Sequence, residues 1–179
     1  DGTPFSGAWS LTDIGASSDH IKSVKLGDFD IDGYLDIASG TKAGEDYEMI
    51  VWRNDGSPFS GTWTGTDIGT VDGDANKINI GDFDKDGYLD LVSHSDSSYD
   101  LTVWKNDGSP FSGTWPSTGV SSNAPYGGAY ADLDNDGDLD LVAGDSSNSL
   151  IVYNNTLIHR NYHNWPTPGA DISTSANSP

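Results

Sequence analysis

Asp28-Phe-Asp-Ile-Asp-Gly-Tyr-Leu-Asp36 returns as Asp82-Phe-Asp-Lys-Asp-Gly-Tyr-Leu-Asp90 and again as Asp132-Leu-Asp-Asn-Asp-Gly-Asp-Leu-Asp140. Each copy carries carboxylates at positions 1, 3, 5 and 9. Gly33, Gly87 or Gly137 at position 6 permits the sharp backbone turn that lets them converge. Around each copy a longer unit repeats. Asp1-Gly-Thr-Pro-Phe-Ser-Gly-Ala-Trp9 matches Asp55-Gly-Ser-Pro-Phe-Ser-Gly-Thr-Trp63 and Asp107-Gly-Ser-Pro-Phe-Ser-Gly-Thr-Trp115, so the period is about fifty residues. Each unit closes on Val51-Trp52, Val103-Trp104 or Val152-Tyr153.

Between these markers the apolar residues form short runs bounded by Gly, Asn, Asp and Ser, which predicts strands rather than helices. One strand enters the acidic loop (21–26, 77–80, 126–130) and the next leaves it (35–39, 89–93, 139–143), so the loop is a hairpin connection. A third carries the Trp or Tyr (48–52, 100–104, 150–153). The turns at Asn54-Asp55-Gly56 and Asn106-Asp107-Gly108 follow it, and a fourth strand runs from Trp9, Trp63 or Trp115 toward Ile14, Ile68 or Val120. The expectation is an all-β chain of three four-stranded antiparallel blades of propeller type, with units at 1–54, 55–106 and 107–155. Residues 156–165 alternate as one further strand, and 166–179 form a Pro/Ser/Thr-rich tail or linker.

Four convergent anions need a cation. Hard oxygen ligands in an irregular loop favour Ca²⁺ over Mg²⁺, and the backbone carbonyl at position 7 (Tyr34, Tyr88, Asp138) is the natural additional ligand. The expected metal residues are therefore Asp28, Asp30, Asp32, Tyr34 and Asp36; Asp82, Asp84, Asp86, Tyr88 and Asp90; and Asp132, Asp134, Asp136, Asp138 and Asp140. The opening D-x-D-x-D-G matches an EF-hand loop, but the last acid falls at 9 instead of 12 and the flanks are strands. One ion per repeat would bring the formal charge of -20 to -14 and act as a folding ligand.

These residues resemble the FG-GAP and VCBS repeat family, known from integrin α-subunit heads and many secreted microbial proteins, over roughly residues 1 to 155. The resemblance implies calcium at the Asp of positions 1, 3, 5 and 9 of each loop, and a scaffold used in adhesins, in some lectins and beside catalytic modules. Three blades would leave two large faces exposed, so the chain is expected to belong to a larger closed or polymeric assembly.

Acidic residues number 28 against 8 basic ones, which disfavours nucleic acid and anionic lipid as partners. The absence of cysteine excludes disulfides, thiolate zinc sites and cysteine nucleophiles. No stretch is apolar enough for a membrane helix, and the chain opens at Asp1 as a processed or excised segment would. Nucleophile-elbow, zincin and P-loop motifs are missing, His159 and His163 stand too far apart along a strand to share an ion, and His20 and His94 read as surface residues. The expected role is a non-enzymatic, secreted or cell-surface structural or adhesive protein that self-associates as an oligomer or filament, or contacts cell-surface proteins. The alternative is a lectin-like module in which Trp9, Trp63 and Trp115 meet sugar rings, or an accessory domain of a polysaccharide-active enzyme. Asn154-Asn155-Thr156 is an N-glycosylation sequon at Asn154.

Overall fold

The computed structural model describes residues 9–17, 19–42, 49–71, 73–95, 101–121, 127–145 and 147–156. All regular structure among them is β. The first sheet orders β1 (Ile21–Gly27), β2 (Asp36–Thr41), β3 (Met49–Arg53) and β4 (Thr64–Gly69) side by side. The second repeats the plan with β5 (Ala75–Gly81), β6 (Asp90–Ser95), β7 (Leu101–Trp104) and β8 (Ser117–Ser121). The third contains β9 (Gly128–Ala131), β10 (Asp140–Gly144) and β11 (Leu150–Tyr153). All neighbours are antiparallel. The acidic loops join β1 to β2, β5 to β6 and β9 to β10, with Gly27 opposite Asp36, Gly81 opposite Asp90 and Ala131 opposite Asp140.

The sheets and the sequence units have the same period but are out of phase. Each complete sheet takes its first three strands from one unit and its fourth from the opening of the next, because the Asn-Asp-Gly turn carries the chain from the third strand directly to the fourth. Residues 9–17, where a first-unit strand was expected, pair with no strand among the described residues. They sit against the first sheet instead: Trp63 N–H donates to the Ile14 carbonyl at 2.7 Å, just as Trp115 N–H donates to that of Ile68 at 2.8 Å. The expected strand at 156–165 and the tail fall outside the described residues beyond Thr156, as do Phe5, His159 and His163.

The sheets stack front to back through small residues. A Cβ at Gly27 would stand 2.8 Å from a Leu89 methyl, and one at Gly81 would stand 2.8 Å from a Leu139 methyl, so Gly at the end of the entering strand lets the next sheet close in. Phe29, Val51, Ile68, Ile78, Leu91 and Trp104 form the larger core between the first two sheets. Phe83, Val92, Leu101, Leu141 and Ala143 form the smaller one toward the third. The indole N–H groups of Trp52 and Trp104 donate to Ser39 and Ser93 on the adjacent strands, which satisfies their one polar atom inside the core.

His94 corrects the surface reading: it is fully buried, and its Nε2 lies 2.6 Å from the Tyr130 hydroxyl across the second sheet junction. Its position on β6, whose every residue is buried, decides this; periodicity in the sequence did not show that both faces of β6 are covered. Burial pushes Tyr130 up to about 12, so its hydroxyl stays protonated.

Candidate metal centres

Each acidic loop is held in one conformation by its own carboxylates. Asp28 accepts the backbone N–H groups of Asp32 and Gly33 at 3.1 and 3.0 Å, and Asp32 accepts that of Tyr34 at 2.9 Å. The second loop repeats this with Asp82 accepting from Asp86 and Gly87, and Asp86 from Tyr88. In the third, Asp134 accepts from Asp136, and Asp136 from Asp138. The backbone takes the left-handed region twice per loop, at position 6 (Gly33, Gly87, Gly137) and at position 4 (Ile31, Lys85, Asn135, φ near +60°). Sequence reading found the first and missed the second, because Ile, Lys and Asn share no property that announces it. For β-branched Ile31 the conformation is strained by about 1–2 kcal/mol, so the remaining contacts of the loop must impose it.

This geometry brings together three acids per loop: Asp28, Asp30 and Asp32; Asp82, Asp84 and Asp86; Asp132, Asp134 and Asp136, with carboxylate oxygens mutually within 4.8 Å. The fourth expected carboxylate is not in these clusters. Asp36 accepts the N–H groups of Phe29 and Asn54, Asp90 those of Phe83 and Asn106, and Asp140 those of Leu133 and Asn155. Each therefore clamps the mouth of the hairpin to an Asn one or two positions past the third strand. Burial pushes the Asp36 carboxyl above its ordinary value and that of Asp90 up to about 6, against the opposing pull of the two amide donors. At position 7 the Tyr34 and Tyr88 rings cover Gly56 and Gly108, while Asp138 is a buried carboxylic side chain at the same place.

A further set of residues, not singled out from the sequence, faces the clusters. Arg53 sits on the first, with Nη2 3.0 Å from Asp30 and 3.5 Å from Asp32. Lys105 pairs with Asp84 and with Asp86, the latter at 2.7 Å. Asn154 donates its side-chain amide to Asp134 at 3.0 Å. The signal was present in the sequence as Trp52-Arg53-Asn54, Trp104-Lys105-Asn106 and Tyr153-Asn154-Asn155, the residue after each closing aromatic. The donor set fits a hard cation: it is all oxygen, convergent, held by backbone amides, and in two loops a side-chain cation already occupies the charge focus. The first three acids of each loop would hold such an ion. Bound there, calcium would supply concentrated positive charge that ties together the three acids of the loop joining the two strands.

The expected glycan-contacting tryptophans separate. Trp115 is 4% exposed, its ring edge-on to Phe29 at 6.1 Å and its indole N–H donated to the Pro110 carbonyl, so it is core and presents no face to a sugar. Trp63 is half-buried, and Trp9 is 84% exposed. Asn154 is exposed, with its amide nitrogen, the atom a glycan would use, directed at Asp134.

A family model described as FG-GAP-like repeat matches residues 28–93 and 82–143, together more than half of the chain. The chain belongs to the FG-GAP-like repeat family. Each FG-GAP match opens on the first Asp of one acidic loop and runs through the next loop into the strand that leaves it, so each match spans two successive clusters. No curated protein matches the chain.

Proposed function

We propose that this chain is a calcium-rigidified structural or adhesive module of the extracellular surface, built of propeller-type blades and assembling with further copies of itself. The observation that carries the reading is the recurrence of the same three-carboxylate cluster at the same hairpin of three successive sheets. A turn needs no such convergence of charge, whereas an ion that fixes the loop joining the two strands of each hairpin stiffens a stack of small sheets.

Self-assembly is supported by the outer faces. Phe29 and Phe83 are buried under the following sheet, but Leu133, their counterpart in the third, is 48% exposed. Leu89 and Leu139 are partly covered by the preceding sheet, but Leu35, their counterpart in the first, is 55% exposed. The back of the third sheet and the front of the first thus present the two halves of a contact the chain already makes twice internally. Head-to-tail stacking of copies repeats it, closing a ring or extending a fibre.

The test is calcium titration by calorimetry together with particle mass by sedimentation, with millimolar calcium and after chelation. Up to three ions bound and assemblies that dissociate in chelator are expected. A chain that binds no calcium overturns the metal reading, and one that stays monomeric at 19.0 kDa in both conditions overturns the assembly.

A lectin-like second reading draws on one observation. A polar recess of about 240 Å³ lies beside Trp63, lined by Arg53, Asp55, Ser57, Ser60 and Thr62, and offers an aromatic wall with hydrogen-bonding groups. A glycan array that shows saturable binding lost on Trp63→Ala, with subunit mass unchanged, would favour it.

A further inference from the structure

Between the second and third sheets the described residues leave an apolar groove of about 470 Å³. Its walls include Phe83, Val103, Val120, Tyr130, Leu141 and Tyr153. Every one has a counterpart at the junction of the first and second sheets, namely Phe29, Val51, Ile68, Ile80, Leu91 and Trp104, by register from the acidic loops and the paired strands. There the space is closed by Trp115, delivered by the loop that follows β7, with Phe111 packed beside it. The effect on the frame is visible at one position: Ile68 is fully buried, whereas Val120 is 38% exposed.

We propose that the occupant of this groove is Trp165 of the same chain, which wedges against Phe83 as Trp115 does against Phe29. Three observations point to it. Thr156, the last described residue, lines the groove, so the chain departs from its rim. Trp115 follows Trp104 by eleven positions and Trp165 follows Tyr153 by twelve, and the residues after them correspond: Trp115-Pro-Ser-Thr-Gly-Val120 and Trp165-Pro-Thr-Pro-Gly-Ala170. The junctions also share a backbone bond, from Trp63 to Ile14 and from Trp115 to Ile68; the next member of the series is Trp165 N–H to the Val120 carbonyl. The inference is independent of the calcium reading.

The experiment is fluorine NMR of the full 179-residue chain grown with 5-fluorotryptophan, its six resonances assigned by single Trp→Phe variants. Buried Trp115 and exposed Trp9 are internal standards for attenuation by a soluble paramagnetic agent. Trp165 is expected to be shielded as Trp115 is, at least about fivefold more than Trp9, and Val120→Ala is expected to move the Trp165 resonance while leaving that of Trp115 in place. Attenuation of Trp165 to the level of Trp9 overturns the proposal and leaves the groove to an external ligand. Shielding that develops only at concentrations where the mass doubles also overturns it, by placing a second copy's segment in the groove. A shielded Trp165 indifferent to Val120→Ala sinks it too, since the ring would then be buried elsewhere.

Discussion

Among the described residues the junction between the first and second sheets is closed and the one between the second and third is open, although the strands on either side present the same positions. At the first, Trp115 and Phe111 descend from a loop and complete a core that includes Phe29, Ile68 and Leu91. At the second, Phe83, Val103 and Leu141 line a groove. The difference teaches that strand pairing supplies only a frame. The second sheet buries its face on the first and on a wedge carried by the loop ahead of its own fourth strand, so this junction has three contributors.

The largest expected effect tests that wedge. Trp115→Ala should destabilise the chain by about 3–5 kcal/mol, because it opens a large void in a core that cannot collapse onto it. Leu141→Ala, on the wall of the second junction and itself buried, should cost about 2–3 kcal/mol, less than Trp115→Ala because it removes a smaller side chain. Urea unfolding of both variants measures it; a loss at Leu141 equal to or above that at Trp115 would break the ordering.

A smaller effect reads the same contrast in one hydrogen bond. Asn106 donates its side-chain amide across the closed junction to the Phe29 carbonyl at 2.9 Å, and Asn155 does the same to Phe83 at 2.9 Å across the open one. Asn106 is fully buried and Asn155 half-buried, so Asn106→Ala should cost about 2 kcal/mol and Asn155→Ala about 1 kcal/mol. Reversal of that order would break the comparison.

The clamp acids extend it to pH. Asp90, in the middle sheet with a neighbour on either side, titrates at about 6 when folded because of burial. Its ordinary value is 3.8, so the neutral acid is favoured in the fold. The stability it contributes is fully present below about pH 4 and is lost as pH rises through about 6. In chelated protein, the fall in stability between about pH 4 and about pH 7 should be shallower for Asp90→Asn than for the parent chain. An unchanged slope would show that Asp90 does not titrate in this range.

The smallest effect concerns the loops. Ile31→Asn places at position 4 of the first loop the residue that stands at Asn135 in the third, and should stabilise the chain by about 1 kcal/mol by relieving a β-branched residue at positive φ. Thermal unfolding in chelator measures it, and a loss of stability would mean that the Ile31 side chain has packing value despite its exposure.

Much of this was legible in one dimension. The repeat, the all-β class, the hairpin placement of each acidic loop and the turn glycines follow from short-range spacing, and they reappear as β1–β2, β5–β6 and β9–β10. The first three acids of each loop were legible for the same reason, since they lie within five residues and are held by local backbone bonds. The ninth acid was not, because its partners Asn54, Asn106 and Asn155 lie fifteen to eighteen positions further on, and only strand pairing brings them near. Arg53 and Lys105 were hidden in the same way.

The sequence by itself determined that this chain repeats, that its units are β-hairpins built around acidic loops, and that these loops can concentrate negative charge, because all three are local properties of residue type and spacing. Only the tertiary structure decided the phase of the sheets against the units, the burial of His94, and the different fates of Trp9, Trp63 and Trp115. Those depend on which surface lies opposite a residue. Identical segments such as Pro58-Phe59 and Pro110-Phe111 differ in exposure, Phe59 standing in solvent and Phe111 partly buried, because the second packs against the core between the first two sheets.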